Sequence, residues 1–211
     1  MDFLKIFRNF NFLLLILLSA GYLKAQDNTG LQNAFKESYS CESKYQYTEA
    51  ISAINKYYDA KSYEINLRLG WLFYLNKQYD ESIKYYQTAI NIKPNSIEAK
   101  FGLLNPEAAI EDFTKVAIQY EDILKIDPQN TKANYNLGLY YYYRPDYNNA
   151  YKYFEKVVNL YPFDYDSNLM YAWTNYQLGK YSESAVNFNI VLLLNPSDAS
   201  ALQGLNLIKG K

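Results

Sequence analysis

The residues of this chain whose types and spacing could do chemistry are three acidic groupings: Glu111-Asp112, Glu121-Asp122 and Asp164-Tyr165-Asp166-Ser167. Paired carboxylates can run general acid–base chemistry when they share a proton or flank a substrate. Adjacent residues on a helix point about 100° apart, so the first two pairs are expected to be solvated helix faces. Asp164 and Asp166 have the spacing that opens a calcium loop, but the central Gly and closing Glu of such a loop are missing. Helix capping is the expected role instead. There is no histidine, which removes the commonest general base and metal ligand, and Cys41 is the one cysteine, so no internal disulfide or thiolate cluster can form. No Gly-rich phosphate cradle is present, and the serines have no histidine to activate them. No catalytic residue, metal site or cofactor is expected, and the chain does not read as an enzyme.

What remains is aromatic surface. The chain carries 25 Tyr, 11 Phe and 2 Trp among 211 residues. Tyr and Trp offer large amphipathic area at low entropic cost, which suits recognition of peptides or sugar rings. Part of the tyrosine content can equally reflect a biased base composition in an Asn-, Lys- and Ile-rich chain. The formal net charge is −1, so no basic excess points to nucleic acid.

The amino terminus reads as an export signal. Lys5 and Arg8 precede an apolar run from Phe12 to Leu18, followed by Ser19, Ala20 and Gly21 and a small residue, Ala25, at the expected cut. A membrane anchor needs about 20 apolar residues and this run is much shorter, although a retained anchor or a buried helix stays open. Removing residues 1–25 takes away Lys5, Arg8, Lys24 and Asp2, which moves the net charge from −1 to −3. Export implies the periplasm, or else a secreted or envelope-associated location, with membrane involvement only through the signal.

The elements that position the aromatic residues repeat. Pro94, Pro128, Pro162 and Pro196 each stand 34 residues apart (128 − 94, 162 − 128, 196 − 162). On the same lattice lie Tyr79, Phe113, Tyr147 and Tyr181, then Tyr86, Tyr120, Phe154 and Phe188, and then Leu69, Leu103, Leu137 and Tyr171. Directly after the last column come Gly70, Leu104, Gly138 and Ala172, small residues that let paired helices approach closely, with Leu104 the exception. Each proline stops a helix and is followed by polar cap candidates: Asn95-Ser96, Asn130-Thr131, Asp164 and Ser197-Asp198. A single helix pair cannot bury its apolar stripe, so stacking is obligatory.

This pattern resembles the tetratricopeptide repeat family over residues 63–198. Leu69-Gly70, Phe73, Tyr79, Tyr86, Ala89 and Pro94 match it in one unit, and Leu137-Gly138, Tyr141, Tyr147, Ala150, Phe154 and Pro162 in another. The resemblance implies an all-α fold, a right-handed α-solenoid of stacked antiparallel helix pairs. After the signal peptide (1–25) and a linker (26–30), the expected organisation is a degenerate repeat at 31–62, which opens its second helix at Tyr47 and runs 32 residues to Tyr79. Repeats at 63–96, 97–130, 131–164 and 165–198 follow, and then a capping helix at 199–211 with Leu202, Leu205 and Ile208 on its covering side. Pro106 is expected to break the first helix of the 97–130 repeat at Asn105, either as a packing irregularity or as a change of curvature.

In the family, the first helix of each pair lines the concave face. Carried over, the groove columns are Glu64, Leu67, Trp71 and Tyr74; Glu98, Phe101, Asn105 and Ala108; Lys132, Tyr135, Leu139 and Tyr142; Asp166, Leu169, Trp173 and Tyr176. The candidate partner-binding residues are Leu67, Trp71, Tyr74, Phe101, Tyr135, Leu139, Tyr142, Leu169, Trp173 and Tyr176. Trp71 and Trp173 share a column, 102 residues apart (173 − 71), and serve either as ligand contacts or as packing on neighbouring helices. Leu67 and Trp71 occupy places where some family members grip a chaperone tail with Lys and Asn, so that clamp is not expected. The function implied is an exported scaffold holding an extended segment of a protein partner in cell-envelope assembly. The alternative is a carbohydrate-handling component of polysaccharide export, with the rings stacking on sugars.

Overall fold

A computed structural model describes residues 29–211. The expected signal peptide and its cut lie outside the described residues. Regular structure within them is entirely α-helical: α1 (29–42), α2 (Tyr47–Asn55), α3 (Tyr63–Leu75), α4 (Tyr79–Ile92), α5 (Ile97–Ala109), α6 (Phe113–Ile126), α7 (Thr131–Tyr142), α8 (Tyr147–Leu160), α9 (Tyr165–Gln177), α10 (Tyr181–Leu194) and α11 (Ala199–Lys209). Residues 29 and 30, expected as linker, already belong to α1. Gly30 lies so close to Tyr57 that an added Cβ would stand 2.7 Å from its hydroxyl. The chain divides into two compact units at Pro106 and Glu107.

Helix starts keep the 34-residue lattice to the atom. Ser62, Ser96, Asn130, Asp164 and Asp198 each accept a hydrogen bond from the backbone N–H three residues on, at 2.8–3.3 Å. One such cap is worth about 1 kcal/mol. Asp164 is therefore a capping residue, as its context implied. Asp112 caps α6 in the same way, so Glu111-Asp112 is not on a helix face: Glu111 is a turn residue at φ 60°. Glu121 and Asp122 diverge on α6 as adjacent helical residues must, Glu121 accepting from the Tyr141 hydroxyl and Asp122 pairing with Lys125.

In the first unit, α1, α2 and α3 enclose a core of Ala50, Ile51, Ile54, Ile65, Leu69 and Leu72, against which Leu31, Phe35, Cys41, Phe73 and Tyr85 pack. Tyr86 of α4 is a buried plate between two helices. A Cβ on Gly70 of α3 would stand 2.8 Å from its ring, and one on Gly102 of α5 only 2.2 Å. In the second unit Phe154 lies against Gly138, and Phe188 against Gly204, in the same manner.

Asparagine secures the entry to three of the first helices, α3, α7 and α9. Nδ2 of Asn66 donates to the carbonyls of Asp59, Ala60 and Ser62; that of Asn134 donates to Pro128 and Asn130; that of Asn168 donates to Pro162 and Asp164. The column sits at 34-residue spacing, with Lys100 in the remaining place. It satisfies carbonyls in the preceding turn that would otherwise be poorly paired.

A second column alternates in chemistry. Phe73 stacks on Tyr85 (centroids 5.1 Å, planes 7° apart) and Tyr141 stacks on Tyr153 (5.6 Å, 7°). The corresponding residues of the other two repeats are Glu107 with Gln119 and Asn175 with Asn187. Glu107 and Asn175 are buried, and Glu107 Oε2 and both amide atoms of Asn175 lack a hydrogen-bond partner.

Pro106 does not break its helix. α5 runs through it from Ile97 to Ala109. Proline withholds the N–H that would meet the Gly102 carbonyl, a loss of about 3 kcal/mol in a helix interior. Leu103, Leu104 and Glu107 around it are buried, and this packing holds the last turn helical. In α11, Leu205 and Ile208 pack on the Ala172, Phe188, Val191 and Ala201 cluster, but Leu202 does not and is 44% exposed. The covering stripe is Ala201, Gly204, Leu205 and Ile208, at the i, i+3, i+4, i+7 spacing of one helix face, and Leu202 lies off it.

Candidate partner-binding cavities

The first unit contains a cavity of about 930 Å³. Its walls come from α1 and the turn after it (Phe35, Tyr39, Glu42, Ser43, Tyr45), from Tyr47, from α3 (Tyr63, Glu64, Leu67, Arg68, Trp71, Leu75), and from Tyr86, Glu98 and Gly102. Residues four or seven apart on α3 share one face, which is why Glu64, Leu67, Arg68, Trp71 and Leu75 line the same space.

Arg68 is the cavity's buried cation, and each of its polar edges is met. Nε and Nη2 donate to Ser38 Oγ, Nη1 donates to Glu42, and Tyr39 places its ring 3.9 Å from Cζ. A guanidinium taken out of water needs such a set of partners, because a lone buried charge costs several kcal/mol. The other Glu42 oxygen accepts from Trp71 Nε1 at 2.7 Å. Glu64 pairs with Lys93 at 3.2 Å, and Lys93 Nζ stands 4.0 Å from the Tyr63 ring centroid. A backbone N–H at the start of α3 and then Lys93 hold the Glu64 carboxyl below its ordinary range. The Tyr63 hydroxyl shares a 2.6 Å hydrogen bond with Ser96 and donates to Glu98 at 3.1 Å; burial first, then its carboxylate neighbours, keep it protonated.

The second unit has a smaller cavity of about 340 Å³, lined by Thr131, Lys132, Tyr135, Asn136, Val157, Tyr161, Asp164, Asp166 and Ser167. Burial, with Asp166 and Asp164 adding to it, pushes the Tyr135 hydroxyl up to about 12, so it is a donor at any physiological pH.

The ten candidate residues fall in several settings. Leu67 and Trp71 line the larger cavity and Tyr135 the smaller. Tyr74 adjoins Trp71 at 5.7 Å, while Phe101, Leu139 and Tyr142 are half-buried on α5 and α7. Leu169 and Trp173 pack on the core around Phe188, with the Trp173 ring 5.0 Å from Phe188 and its N–H donated to Ser200. Tyr176 adjoins Trp173 at 5.7 Å. The shared tryptophan column thus divides: Trp71 faces a cavity and Trp173 is held between α10 and α11. The residues that repeat spacing missed are those of α1 and its turn, because the first helix pair lies off the 34-residue lattice and ends without proline. Arg68 was also unmarked, since a buried cation has no signature in a column of unlike residues. Among the described residues no cluster of His, Cys, Asp and Glu could hold a metal ion, and no helix is long and apolar enough to cross a membrane.

Stacked antiparallel helix pairs with caps, turns and packing plates at a 34-residue period define a helical-repeat protein. The family description "Tetratricopeptide repeat" matches residues 63–96 and again 131–164. These two segments of the chain are thus similar to tetratricopeptide repeats, and the fold around them is that of a helical-repeat solenoid. Among curated proteins it is similar to the peroxisomal targeting signal receptors of Kluyveromyces lactis and Saccharomyces cerevisiae, each 34% identical over 77 residues, 36% of this chain. The match spans only 13% and 12% of those receptors. Among solved structures it resembles a tetratricopeptide repeat protein from Parabacteroides merdae (TM-score 0.70, 20% identity, 87% of this chain and 75% of that one). It also resembles MamA from Desulfovibrio magneticus (TM-score 0.65, 17% identity, 81% and 97%). At these identities the likeness concerns the fold alone.

Proposed function

We propose that this protein is an exported scaffold that holds an extended segment of a protein partner against the inner helices of its repeats, in the assembly of the cell envelope. The observation that carries the reading is the 930 Å³ aromatic cavity on α3, where Trp71 and Leu67 face a space that no side chain of the unit fills. Two turns of helix presenting Tyr63, Leu67 and Trp71 at i, i+4 and i+8 suit an extended chain, whose alternate side chains can enter while its backbone stays hydrated. The similarity to receptors for a targeting signal, limited as it is to 77 residues, supports a peptide ligand. The order of charged, apolar and small residues before Gln26 supports export to the periplasm.

A photo-crosslinking amino acid at Leu75, on the cavity wall, tests the scaffold in living cells. A protein adduct that disappears in Trp71→Ala supports it. An adduct to envelope polysaccharide alone would transfer the reading to carbohydrate handling, and absence of any adduct overturns it. Fusing residues 1–25 to alkaline phosphatase tests export separately: a fusion inactive in intact bacteria removes the periplasmic assignment.

A further inference from the structure

We infer that the cavity of the first unit selects a segment carrying a basic side chain, lysine or arginine, and seats that cation at Glu98; the inference rests on the scaffold reading and gives the partner its chemistry. Two cations of this chain already stand at the cavity, Arg68 on its wall and Lys93 paired to a wall residue, both in the same arrangement of one tyrosine ring and one carboxylate. Arg68 lies on Tyr39 and pairs with Glu42. Lys93 lies on Tyr63 and pairs with Glu64. Glu98 is the third carboxylate on the wall, exposed and joined to the same Tyr63 through its hydroxyl. Among the described residues it forms no ion pair.

Charge complementarity follows from that count. Three carboxylates, Glu42, Glu64 and Glu98, face the cavity, while its lining cation, Arg68, is buried and neutralised by Glu42. An acidic segment would meet uncompensated like charge, and a neutral one would leave Glu98 paired only to a hydroxyl. A lysine or arginine gains a charge-assisted hydrogen bond at Glu98, and the aromatic residues of the cavity wall offer surface to its methylene stem. Such a contact works in a partly enclosed space far better than at open surface, where salt and water screen it.

The test pans a random nine-residue peptide library on the immobilised full chain and measures the selected peptides by fluorescence anisotropy. Lys or Arg is expected at one constant position, and replacing it by norleucine should weaken binding about tenfold, the scale of one charge-assisted contact with an aromatic wall. Glu98→Gln keeps an acceptor for Tyr63 and should keep the wild-type circular dichroism and melting temperature, yet lose the preference for lysine over norleucine. Selected peptides without a basic residue, or a lysine preference unchanged in Glu98→Gln, overturn the inference and leave the scaffold standing. Recovery of no peptide at all overturns both.

Discussion

Gly102 lies against the ring of Tyr86 so closely that a Cβ there would stand 2.2 Å from the ring edge. Gly102 is on α5 while the ring comes from α4, so the glycine sets how near these helices approach. Replacing it tests whether the plate is rigid. Alanine gains about 1 kcal/mol of helix propensity over glycine, but overpacking a buried ring costs about 1–3 kcal/mol. Gly102→Ala is expected to lower stability by about 1 kcal/mol in urea unfolding. A midpoint equal to or above wild type would show that Tyr86 swings aside freely.

Three of the turns between paired helices hold their middle residue left-handed: Lys77 at φ 59°, Glu111 at 60° and Gly179 at 74°. Only glycine adopts that conformation without cost, and a side chain there costs about 1–2 kcal/mol, partly offset by glycine's larger entropy loss. Lys77→Gly should therefore raise the melting temperature, while Gly179→Ala should lower it. Calorimetry of the two variants reads opposite signs, and equal signs would contradict the turn geometry.

Asn134 offers a test of the column that secures the preceding turn. Asn134→Ala leaves the Pro128 and Asn130 carbonyls without the amide that now donates to them. The expected loss is about 1–3 kcal/mol, and hydrogen exchange should rise around residues 127–131 before it rises in α8. Uniform exchange across both helices would instead mean that the turn is held by other contacts.

Glu107 makes stability depend on pH. Burial raises its carboxyl to about 7, with Asp112 adding to the rise and Lys115 opposing it. In the unfolded chain the group ionises at its ordinary, lower value, so between that value and about 7 the folded state binds the extra proton. Its contribution is fully present in acid below the unfolded value and is lost as pH rises through about 7, an effect of order 1–3 kcal/mol. Unfolding free energies of wild type and Glu107→Gln should diverge across that window, with wild type losing relative stability toward neutrality. Parallel pH profiles would place the carboxylate in water.

Glu107 also marks where sequence reading stops. The 34-residue lattice is visible in prolines, aromatics and small residues because each has one physical job that recurs in every pair: ending a helix, filling a gap, or permitting contact. Caps were readable for the same reason, since Asn130, Asp164 and Asp198 each stand two residues after a proline. The alternation of Phe73 and Tyr141 with Glu107 and Asn175 is present in the same letters, but the letters do not say that the polar members are buried.

Period and helix pairing were thus determined by local chemistry, which repeats wherever the residues repeat. The tertiary structure alone decided that Pro106 stays helical, that Trp173 packs on Phe188 while Trp71 faces a cavity, and that α1 completes that cavity. Each of these depends on which neighbours surround a side chain in space, and burial can outweigh a local preference by several kcal/mol.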